Sequence, residues 1–405
     1  MTVRDAERIE RNMRALRDAD LDAVLCALPS NVLLLSGYWP VVGTSIAVAT
    51  RDGAVGLVTP TDEADLAGRG WADATERFMP GSLDRLTRLI EAVLPALERI
   101  LRRLGLVGAR LGLERGPALE PSSYAGTNRY GTALRDVLPE CCPQAVPVPA
   151  DDMLLALRGV LTPRELGEVR QACRVAEDAF RAGARSIVPG ASEREVAAAF
   201  RAPLMAYADA DGAPPLRAGG FMFCMSGPNA AAADRAYART RARRIAPGDP
   251  VMVHCNSFLN GFWTDITRTY LPAPGDDLAA PLFDAVLEAR TAALGAIAPG
   301  VRASEVDRAA REVLARHGWG DCFPHGTGHG VGFAAIDHHA RPRVHPASDD
   351  VLESGMVFNI EPAIYREGWG GIRQCELVGV GPHGVELLTP FQATLEALAP
   401  RLVAY

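Results

Sequence analysis

A pattern of predicted elements that occurs twice between residues 163 and 380 constrains the fold more than any other feature of the sequence. Each copy has two helices followed by three strands. The first copy comprises helices at 163–186 and 193–207 and strands near 219–226, 250–258 and 262–270. The second comprises helices at 279–297 and 303–317 and strands near 328–335, 355–364 and 370–380. Although the two halves share pattern more than identity, this duplication predicts a pseudo-twofold arrangement of sheet with outer helices.

The preceding part of the chain alternates strands and helices, which is typical of an α/β domain. The predicted elements are a strand at Ala23–Leu28, a hairpin of Ser45–Thr50 with Ala54–Thr59, a helix at Ser82–Leu104, a strand at Ala109–Leu113 and a helix at Tyr124–Leu138. A Pro-rich segment, Cys142–Pro149, follows, and Thr162-Pro-Arg-Glu165 has the capping-box pattern that opens a helix. We therefore predict an N-terminal domain over residues 1–155 and a second domain over residues 156–405.

Composition excludes several classes of function. All 42 basic residues are Arg, so no mechanism that needs a lysine amine is available, including Schiff-base chemistry and a phosphate loop ending in Gly-Lys. A net charge of −7 argues against a nucleic-acid partner. No apolar run reaches the roughly 18 residues of a membrane span. The eight Cys include no CxxC pair, and the charged N-terminus lacks the apolar stretch of a signal peptide, so we expect a reduced, cytoplasmic protein.

The segment Gly248–Tyr270 is predicted to form a β-hairpin that turns at Asn260-Gly261. Strand alternation places His254 on one face of the first strand, and Asp265 on one face of the return strand. An Asp inside an apolar strand is costly to bury unless it is paired or bound to a metal. A solvated edge strand is the alternative interpretation.

Three further segments carry residues that could take part in catalysis or metal binding. The Gly-rich segment 325–332 places His329 at a metal or a reacting group, with two ordinary loop histidines as the alternative. Glu361 ends a buried strand, where a carboxylate needs a partner. In the next strand Arg373 and Cys375 share one face and Glu376 lies on the other, and a small buried thiol is the alternative interpretation of Cys375.

The segments GFWTDITRT, HGTGHGVG, GMVFNIEP and GGIR, in this order and spacing, resemble the Xaa-Pro aminopeptidase, prolidase and creatinase family. The resemblance covers the whole chain. It implies a creatinase-type α/β N-terminal domain, which includes Pro29-Ser-Asn31 and Ser36-Gly-Tyr38, and an α+β pita-bread catalytic domain with the pseudo-twofold internal repeat. It also implies a homodimer and a small-molecule or short-peptide substrate, while the charge and the lack of a long apolar run predict no nucleic acid and no membrane as partner.

The peptidases of this family bind two divalent ions through Asp, Asp, His, Glu and Glu. Carried over one at a time, the second Asp matches Asp265, the His matches His329 and the first Glu matches Glu361. The first Asp falls on His254 and the last Glu falls on Cys375. With two of four carboxylates replaced, the charge balance suits one divalent ion better than two. Imidazole and thiolate shift the preference from Mn²⁺ towards Zn²⁺, Fe²⁺ or copper, and a metal-free site is the alternative.

Further candidates for catalysis are His325, His338, His339 and Arg373. The resemblance expects a substrate-contacting His seven residues after His329, where Ile336 stands, so a short insertion would let His338 or His339 take that role. In a metal-free site His254, His329 and Glu361 would carry protons, and Arg373 would hold a substrate carboxylate.

Three hypotheses of function follow. The first is a hydrolase in which a metal-activated water attacks the amide C–N bond of a short proline-type peptide. The second is a non-peptidase enzyme that cleaves a C–N bond, or does related chemistry, on a small amino-acid-like substrate, with a mononuclear or metal-free site. The third is an inactive binding protein, which the polar residues retained at the site disfavour.

Overall fold

The computed structural model describes residues 4–40, 44–80, 89–114, 134–207, 217–236, 239–273 and 276–398. The chain forms two compact units, and the division falls between Arg158 and Gly159. Within the described ranges, no helix combines the length and the apolar character needed to cross a membrane.

The first unit is built on a mixed six-stranded sheet. Its strands are β1 (Ala23–Cys26), β2 (Ile46–Thr50), β3 (Val55–Pro60), β4 (Ala74–Phe78), β5 (Arg110–Leu113) and β6 (Val146–Pro149). Its helices are α1 (Ala6–Asp18), α2 (Pro29–Ser36), α3 (Ala64–Ala67), α4 (Leu89–Arg103), α5 (Leu134–Cys141) and α6 (Asp151–Gly159). The strand order is β4-β3-β2-β1-β5-β6. This confirms the predicted α/β unit, while residues 82–88 and 124–133 of its two predicted long helices lie outside the described residues.

The core of this unit lies between α4 and the sheet. Leu97 and Ile100 of α4 are fully buried in one cluster with Leu25 and Val48 of the central strands. Burying side chains of this size stabilises a fold by roughly 1.5–3 kcal/mol each. The amphipathic pattern of α4 therefore anchors that helix to the sheet.

The second unit begins with α7 (Pro163–Gly183), α8 (Glu193–Met205), β7 (Ala218–Ser226), a short α9 (Ala233–Ala236), β8 (Val251–Leu259) and β9 (Phe262–Tyr270). The three strands form an antiparallel sheet in the order β7-β8-β9. The predicted capping box is present, because Glu165 N–H donates to Thr162 Oγ1 and Thr162 N–H donates to Glu165 Oε2. At the hairpin turn Asn260 and Gly261 have φ of 51° and 89°, which matches a two-residue turn with positive φ at both positions.

The other half of this unit consists of α10 (Ala279–Gly295), α11 (Ala303–Arg316), β10 (Val357–Ile360), β11 (Ala363–Arg366), β12 (Gly370–Arg373), β13 (Glu376–Gly381), β14 (Gly384–Leu387) and α12 (Leu395–Leu398). The strands form a sheet in the order β10-β13-β14 and the pair β11-β12. A helix pair followed by antiparallel strands thus occurs twice, as the duplicated pattern predicts.

Three predicted strands of the second half differ from the structure. Residues 328–335 form isolated bridges instead of a strand, because alternate glycines weaken a strand and leave its backbone free to follow other groups. The predicted strand at 355–364 divides at Pro362, which has no N–H to donate to a ladder. The predicted strand at 370–380 divides at Gln374 and Cys375. Each break falls beside a candidate site residue.

The two halves meet where β9 contacts β12. Thr269 Oγ1 donates to Arg373 O and accepts from Arg373 N–H, both at 3.0 Å. A bridge between Thr267 and Cys375 continues this contact. The junction brings residues of the hairpin and residues near the end of the chain into one site.

Candidate active site

Strands β8 and β9 carry two of the predicted residues, His254 and Asp265, at positions close together on the hairpin. The register pairs His254 with Thr267 and Asn256 with Asp265. Because alternate residues share a face, all four side chains point to the same side of the hairpin. His254 and Asp265 are 2% and 1% exposed, so the alternative interpretation, a solvated edge strand, does not hold.

Both ring nitrogens of His254 are engaged by protein groups. Nε2 lies 3.2 Å from the acceptor Asn256 Oδ1, so this nitrogen carries the proton. Nδ1 accepts from Thr267 Oγ1 at 2.9 Å and from Arg373 Nη2 at 3.0 Å. Burial lowers the pKa of His254 to about 4. The ring is therefore neutral at pH 7, and its lone pair is already in use.

Asp265 is the central carboxylate of the site. Its Oδ2 lies 3.3 Å from His329 Nε2 and 3.5 Å from Asn359 Nδ2. Its Oδ1 is buried without a hydrogen-bond partner among the described residues and lies 3.6 Å from His254 Nδ1. Burial alone would raise the pKa of the Asp265 carboxyl, but the basic groups His254, His329 and Arg373 hold it below its ordinary value. The carboxylate is thus an anion with one unshared oxygen.

His329 reaches Asp265 from the Gly-rich segment. Its backbone N–H donates to Asn359 Oδ1 at 2.7 Å, and its Nδ1–H donates to Gly330 O at 3.0 Å. Its Nε2 lies between Asp265 Oδ2 and Asn359 Nδ2, the latter at 3.1 Å. Burial alone would lower the pKa of His329, but the hydrogen bond and charge of Asp265, together with Glu361, raise it to about 9. The Nε2 atom therefore accepts from Asn359 when the ring is neutral and donates to Asp265 when it is protonated.

Glu361 and Arg373 close the other side of the site. Glu361 Oε1 lies 3.9 Å from His329 Nε2, and Glu361 Oε2 lies 3.9 Å from Arg373 Nη1. The Arg373 guanidinium also donates from Nε to Thr267 Oγ1 at 3.0 Å and from Nη1 to Tyr365 Oη at 3.4 Å. Glu361 is 9% exposed and Arg373 is 4% exposed. The arginine is thus held among protein acceptors, and its predicted contact with a substrate carboxylate stays a prediction.

Cys375 and Glu376 point to opposite sides of the chain, in line with strand alternation. Cys375 lies at the site, with Sγ 3.3 Å from Asp265 O and 3.6 Å from Asn359 Nδ2. Glu376 is directed into the core, where it pairs with two guanidinium groups. Burial, reinforced by the nearby carboxylates, raises the pKa of the Cys375 thiol well above its ordinary value. Position 375 therefore contributes a neutral thiol, and Glu376 does not replace the missing carboxylate.

His325 contacts the site through Tyr365. Its Nδ1–H donates to Gly326 O at 2.8 Å, so its Nε2 accepts from Tyr365 Oη at 3.0 Å. Burial raises the pKa of Tyr365 to about 12, so the phenol keeps its proton. The half-buried imidazole of His325 is thereby linked through Tyr365 to Arg373.

The remaining two predicted histidines lie on the outer side. The exposed ring of His338 packs edge-on against that of His329, with centroids 4.9 Å apart. His339 is exposed, and its backbone N–H donates to Asp337 Oδ1 at 3.2 Å. Of this pair, His338 is the one that the fold places beside the predicted site.

Sequence reasoning missed Asn359 and Tyr365. Asn359 stands two residues before Glu361, so strand parity places both side chains on one face. An Asn inside the apolar strand Val357–Ile360 is as unusual as the Glu that follows the strand. The argument that singled out Glu361 would therefore also have singled out Asn359. Tyr365 offered no comparable signal, because an aromatic residue in a buried strand is ordinary.

The arrangement of these side chains does not fit the predicted metal ion. Among the residues that the structure describes, no group of three or more His, Cys, Asp or Glu side chains is placed to hold one. The lone pair of His254 is used by Arg373, Cys375 is a neutral thiol, and Asn359 donates towards three of the predicted ligand atoms. As they stand, the five predicted ligands fit neither two ions nor one.

The sequence and the fold are similar to those of known peptidases. Residues 167–382 match the profile of metallopeptidase family M24. The chain is 30% identical to a Xaa-Pro dipeptidase of Pyrococcus furiosus over 96% of its own length and 99% of that protein. It is 32% identical to a probable dipeptidase PepE of Mycobacterium bovis over 75% of its length and 83% of that protein.

A solved structure has the same fold. The prolidase from Pyrococcus horikoshii superposes with a TM-score of 0.74 at 25% identity, and the match covers 95% of this chain and 98% of that one. All residues of the candidate site lie within the family match over residues 167–382.

Proposed function

The chain belongs to metallopeptidase family M24 and is a hydrolase acting on C–N bonds; from this premise we propose that it cleaves the amide bond of a short proline-type peptide. The similarity to a Xaa-Pro dipeptidase extends over 96% of the chain, so both units have counterparts in that enzyme. A free dipeptide is also a substrate small enough for a site whose acidic groups are at least nine-tenths buried.

One observation supports the location of the reaction more than any other. Asp265 from β9, His329 from the Gly-rich segment and Glu361 after β10 come from three separate parts of the chain, yet their side chains converge. The Asp265–His329 distance is 3.3 Å and the His329–Glu361 distance is 3.9 Å. Three ionisable groups brought together in a buried place are costly to fold unless they serve a purpose.

We assign the roles from exposure and partners. Glu361 is the most exposed of the three converging residues, so we propose that its carboxylate accepts the proton of the attacking water. His338 lies on the accessible side against His329, which suits it to contact the substrate or the leaving nitrogen. Asp265 and Arg373 supply a fixed negative and a fixed positive charge behind these groups, and fixed charges stabilise a polar transition state without reorganising.

The name of the family implies a divalent metal. The single transition ion predicted from the sequence (Zn, Fe, Mn or Cu) would use Asp265, His329 and Glu361, with Cys375 as a further ligand. Because the arrangement of these residues does not fit an ion, the roles above involve only groups of the chain itself.

A second candidate is cleavage of a C–N bond in a small amino-acid-like substrate without a metal. It is favoured by the residues that stand where the family resemblance places carboxylates. His254 is neutral and hydrogen-bonded to Arg373, and Cys375 is a neutral thiol. Such a site retains acid–base groups but carries less negative charge than a four-carboxylate centre. It therefore suits proton transfer better than ion binding.

We also propose a cytoplasmic homodimer. All eight cysteines lie in the described part of the chain and none forms a disulfide, as in proteins of a reducing compartment. The dimer is proposed from the family resemblance, and sedimentation velocity of the full chain tests it directly.

Turnover of a small substrate panel tests these proposals. The panel contains Xaa-Pro dipeptides, matched Xaa-Ala dipeptides and guanidino-type amino acids, with product release followed by mass spectrometry. Each assay is run after exhaustive chelation and again with added Mn²⁺, Zn²⁺ or Fe²⁺. Release of proline from the Xaa-Pro members alone supports the first candidate. Product from the amino-acid-like members alone supports the second, and no turnover of any member contradicts both.

A further inference from the structure

Asn359 occupies the middle of the predicted ligand set. It lies on β10, is 0% exposed, and its Oδ1 accepts from the backbone N–H of His329 at 2.7 Å. That bond fixes the orientation of the amide, because only the oxygen can accept a hydrogen bond. The amide nitrogen must then point away from this N–H, towards the interior of the site.

The amide nitrogen faces three predicted ligand atoms. It lies 3.1 Å from His329 Nε2, 3.5 Å from Asp265 Oδ2 and 3.6 Å from Cys375 Sγ. An amide NH₂ group only donates, so each contact uses a lone pair of its neighbour. Of the three atoms, only His329 Nε2 has no second lone pair to offer an ion.

At the His329 imidazole, the Asn359 amide and a metal ion would compete for the same lone pair. Nδ1 of His329 carries a proton that it donates to Gly330 O, so in the neutral ring, the form that binds an ion, Nε2 has the only lone pair. A zinc-type ion would need that lone pair at about 2.0–2.1 Å. The same pair cannot bind an ion and accept from Asn359 at once.

We propose that the Asn359 amide takes the place of a resident metal ion, so that this chain holds no ion between Asp265, His329 and Cys375. The inference relies on the proposed location of the active site and on no particular substrate. The family name implies a bound metal, and the Asn359 side chain is proposed to be the reason why this chain holds none at that place. An acceptor at position 359 would turn the same group of side chains into a site for a single divalent cation.

Asn359→Asp tests this inference, because the change is isosteric. The new carboxylate keeps an oxygen for the His329 N–H and replaces the donating nitrogen by a second oxygen that can ligate. The full chain, wild type and variant, is chelated and then titrated with Co²⁺, and absorption is recorded. We expect no stoichiometric binding by the wild type. We expect the variant to bind one equivalent of Co²⁺, with an affinity at least about tenfold higher than that of the wild type. Groups around metal ligands alter metal affinity within this range.

Further variants identify the ligands and the specificity of the effect. Asn359→Asp with Cys375→Ser should still bind Co²⁺ but lose the thiolate-to-cobalt charge-transfer band. Asn12→Asp makes the same change at another buried Asn, in the first unit, and should gain no binding. Circular dichroism and thermal unfolding establish that each variant is folded. Asn359→Ser, which removes the donor amide in a smaller residue, replaces Asn359→Asp if that variant does not fold.

Two results would overturn the inference. One is a wild-type protein that binds one equivalent of Co²⁺ with a thiolate band. The other is a folded Asn359→Asp or Asn359→Ser variant that binds no more tightly than the wild type. Because the readout is metal binding, a wrong substrate assignment leaves this test unaffected, and a failed metal test leaves the turnover assay unaffected.

Discussion

The guanidinium of Arg373 donates a hydrogen bond to the imidazole of His254, with Nη2 3.0 Å from Nδ1, in a place from which water is excluded. The family resemblance places a carboxylate at position 254. A carboxylate there would pair with Arg373 as an ion, whereas the neutral imidazole only accepts a hydrogen bond. The positive charge of Arg373 is therefore left to balance Asp265 and Glu361, and the site needs fewer added cations than a four-carboxylate centre.

Removing this imidazole is expected to destabilise the fold. His254→Ala leaves a cavity and deprives Arg373 and Asn256 of a buried partner, so we expect a loss of about 2–4 kcal/mol in the free energy of unfolding. Urea denaturation measures it. His383→Ala, at an exposed position, is the matched control and should change the stability by less than about 0.5 kcal/mol. Equal stability of His254→Ala and wild type would show that the pair contributes nothing.

Glu376 is expected to serve the fold alone. It lies 3.0 Å from Arg268 Nη2 and 2.7 Å from Arg290 Nη2, in the core of the second unit. Glu376→Gln leaves two buried guanidinium groups without a counter-ion, at a cost of about 3–5 kcal/mol. Glu386→Gln breaks a partly exposed pair with Arg170 and should cost at most about 1 kcal/mol. Denaturation curves compare the two, and similar small losses would contradict the buried role of Glu376.

Cys375 should resist alkylation in the native protein. Its side chain is 0% exposed, and burial raises the pKa of the thiol well above its ordinary value, so the reactive thiolate is scarce at pH 7. Cys322 is only partly buried and serves as the internal comparison. Iodoacetamide labelling followed by peptide mass spectrometry should find Cys322 modified first and Cys375 modified only after unfolding. Equal labelling rates under native conditions would contradict the burial of Cys375.

Gly328 should be intolerant of a side chain. A Cβ at this position would lie 1.9 Å from Asn359 O, a backbone atom of the strand that leads to Glu361. Gly328→Ala must therefore displace that strand, and we expect a loss of turnover of at least about a hundredfold, since small misplacements of catalytic groups have such effects. Gly167→Ala, where a Cβ meets nothing within 4 Å, is the control. Its helix should keep or gain stability by up to about 1 kcal/mol.

The sequence predicted the elements whose pattern is regular. The hairpin turn at Asn260-Gly261, the capping box at Thr162 and the duplicated helix pair all follow from local chemistry and periodicity. The strand predicted at 328–335 was wrong, because glycines let tertiary contacts decide the backbone there. Periodicity cannot foresee such contacts.

The strand faces of His254, Asp265 and Cys375 were predictable, but the hydrogen bonds of the site were not. Strand parity correctly separated Cys375 from Glu376. The sequence could not show that Arg373 donates hydrogen bonds to His254, Thr267 and Tyr365. Nor could it show that the amide nitrogen of Asn359 faces the predicted ligands. Those hydrogen bonds depend on which strands are in contact at the junction between the two halves. Local sequence patterns do not predict such long-range contacts.

Turnover by Glu361→Gln tests the central claim most directly. The change is isosteric and removes only the carboxylate that is proposed to accept the proton of water. Proline release from a Xaa-Pro dipeptide is measured for wild type and variant at equal folded concentration. The account predicts release by the wild type and a fall in kcat of about 10²–10⁴-fold in the variant, the usual contribution of a general base. A variant that turns over at the wild-type rate would contradict it.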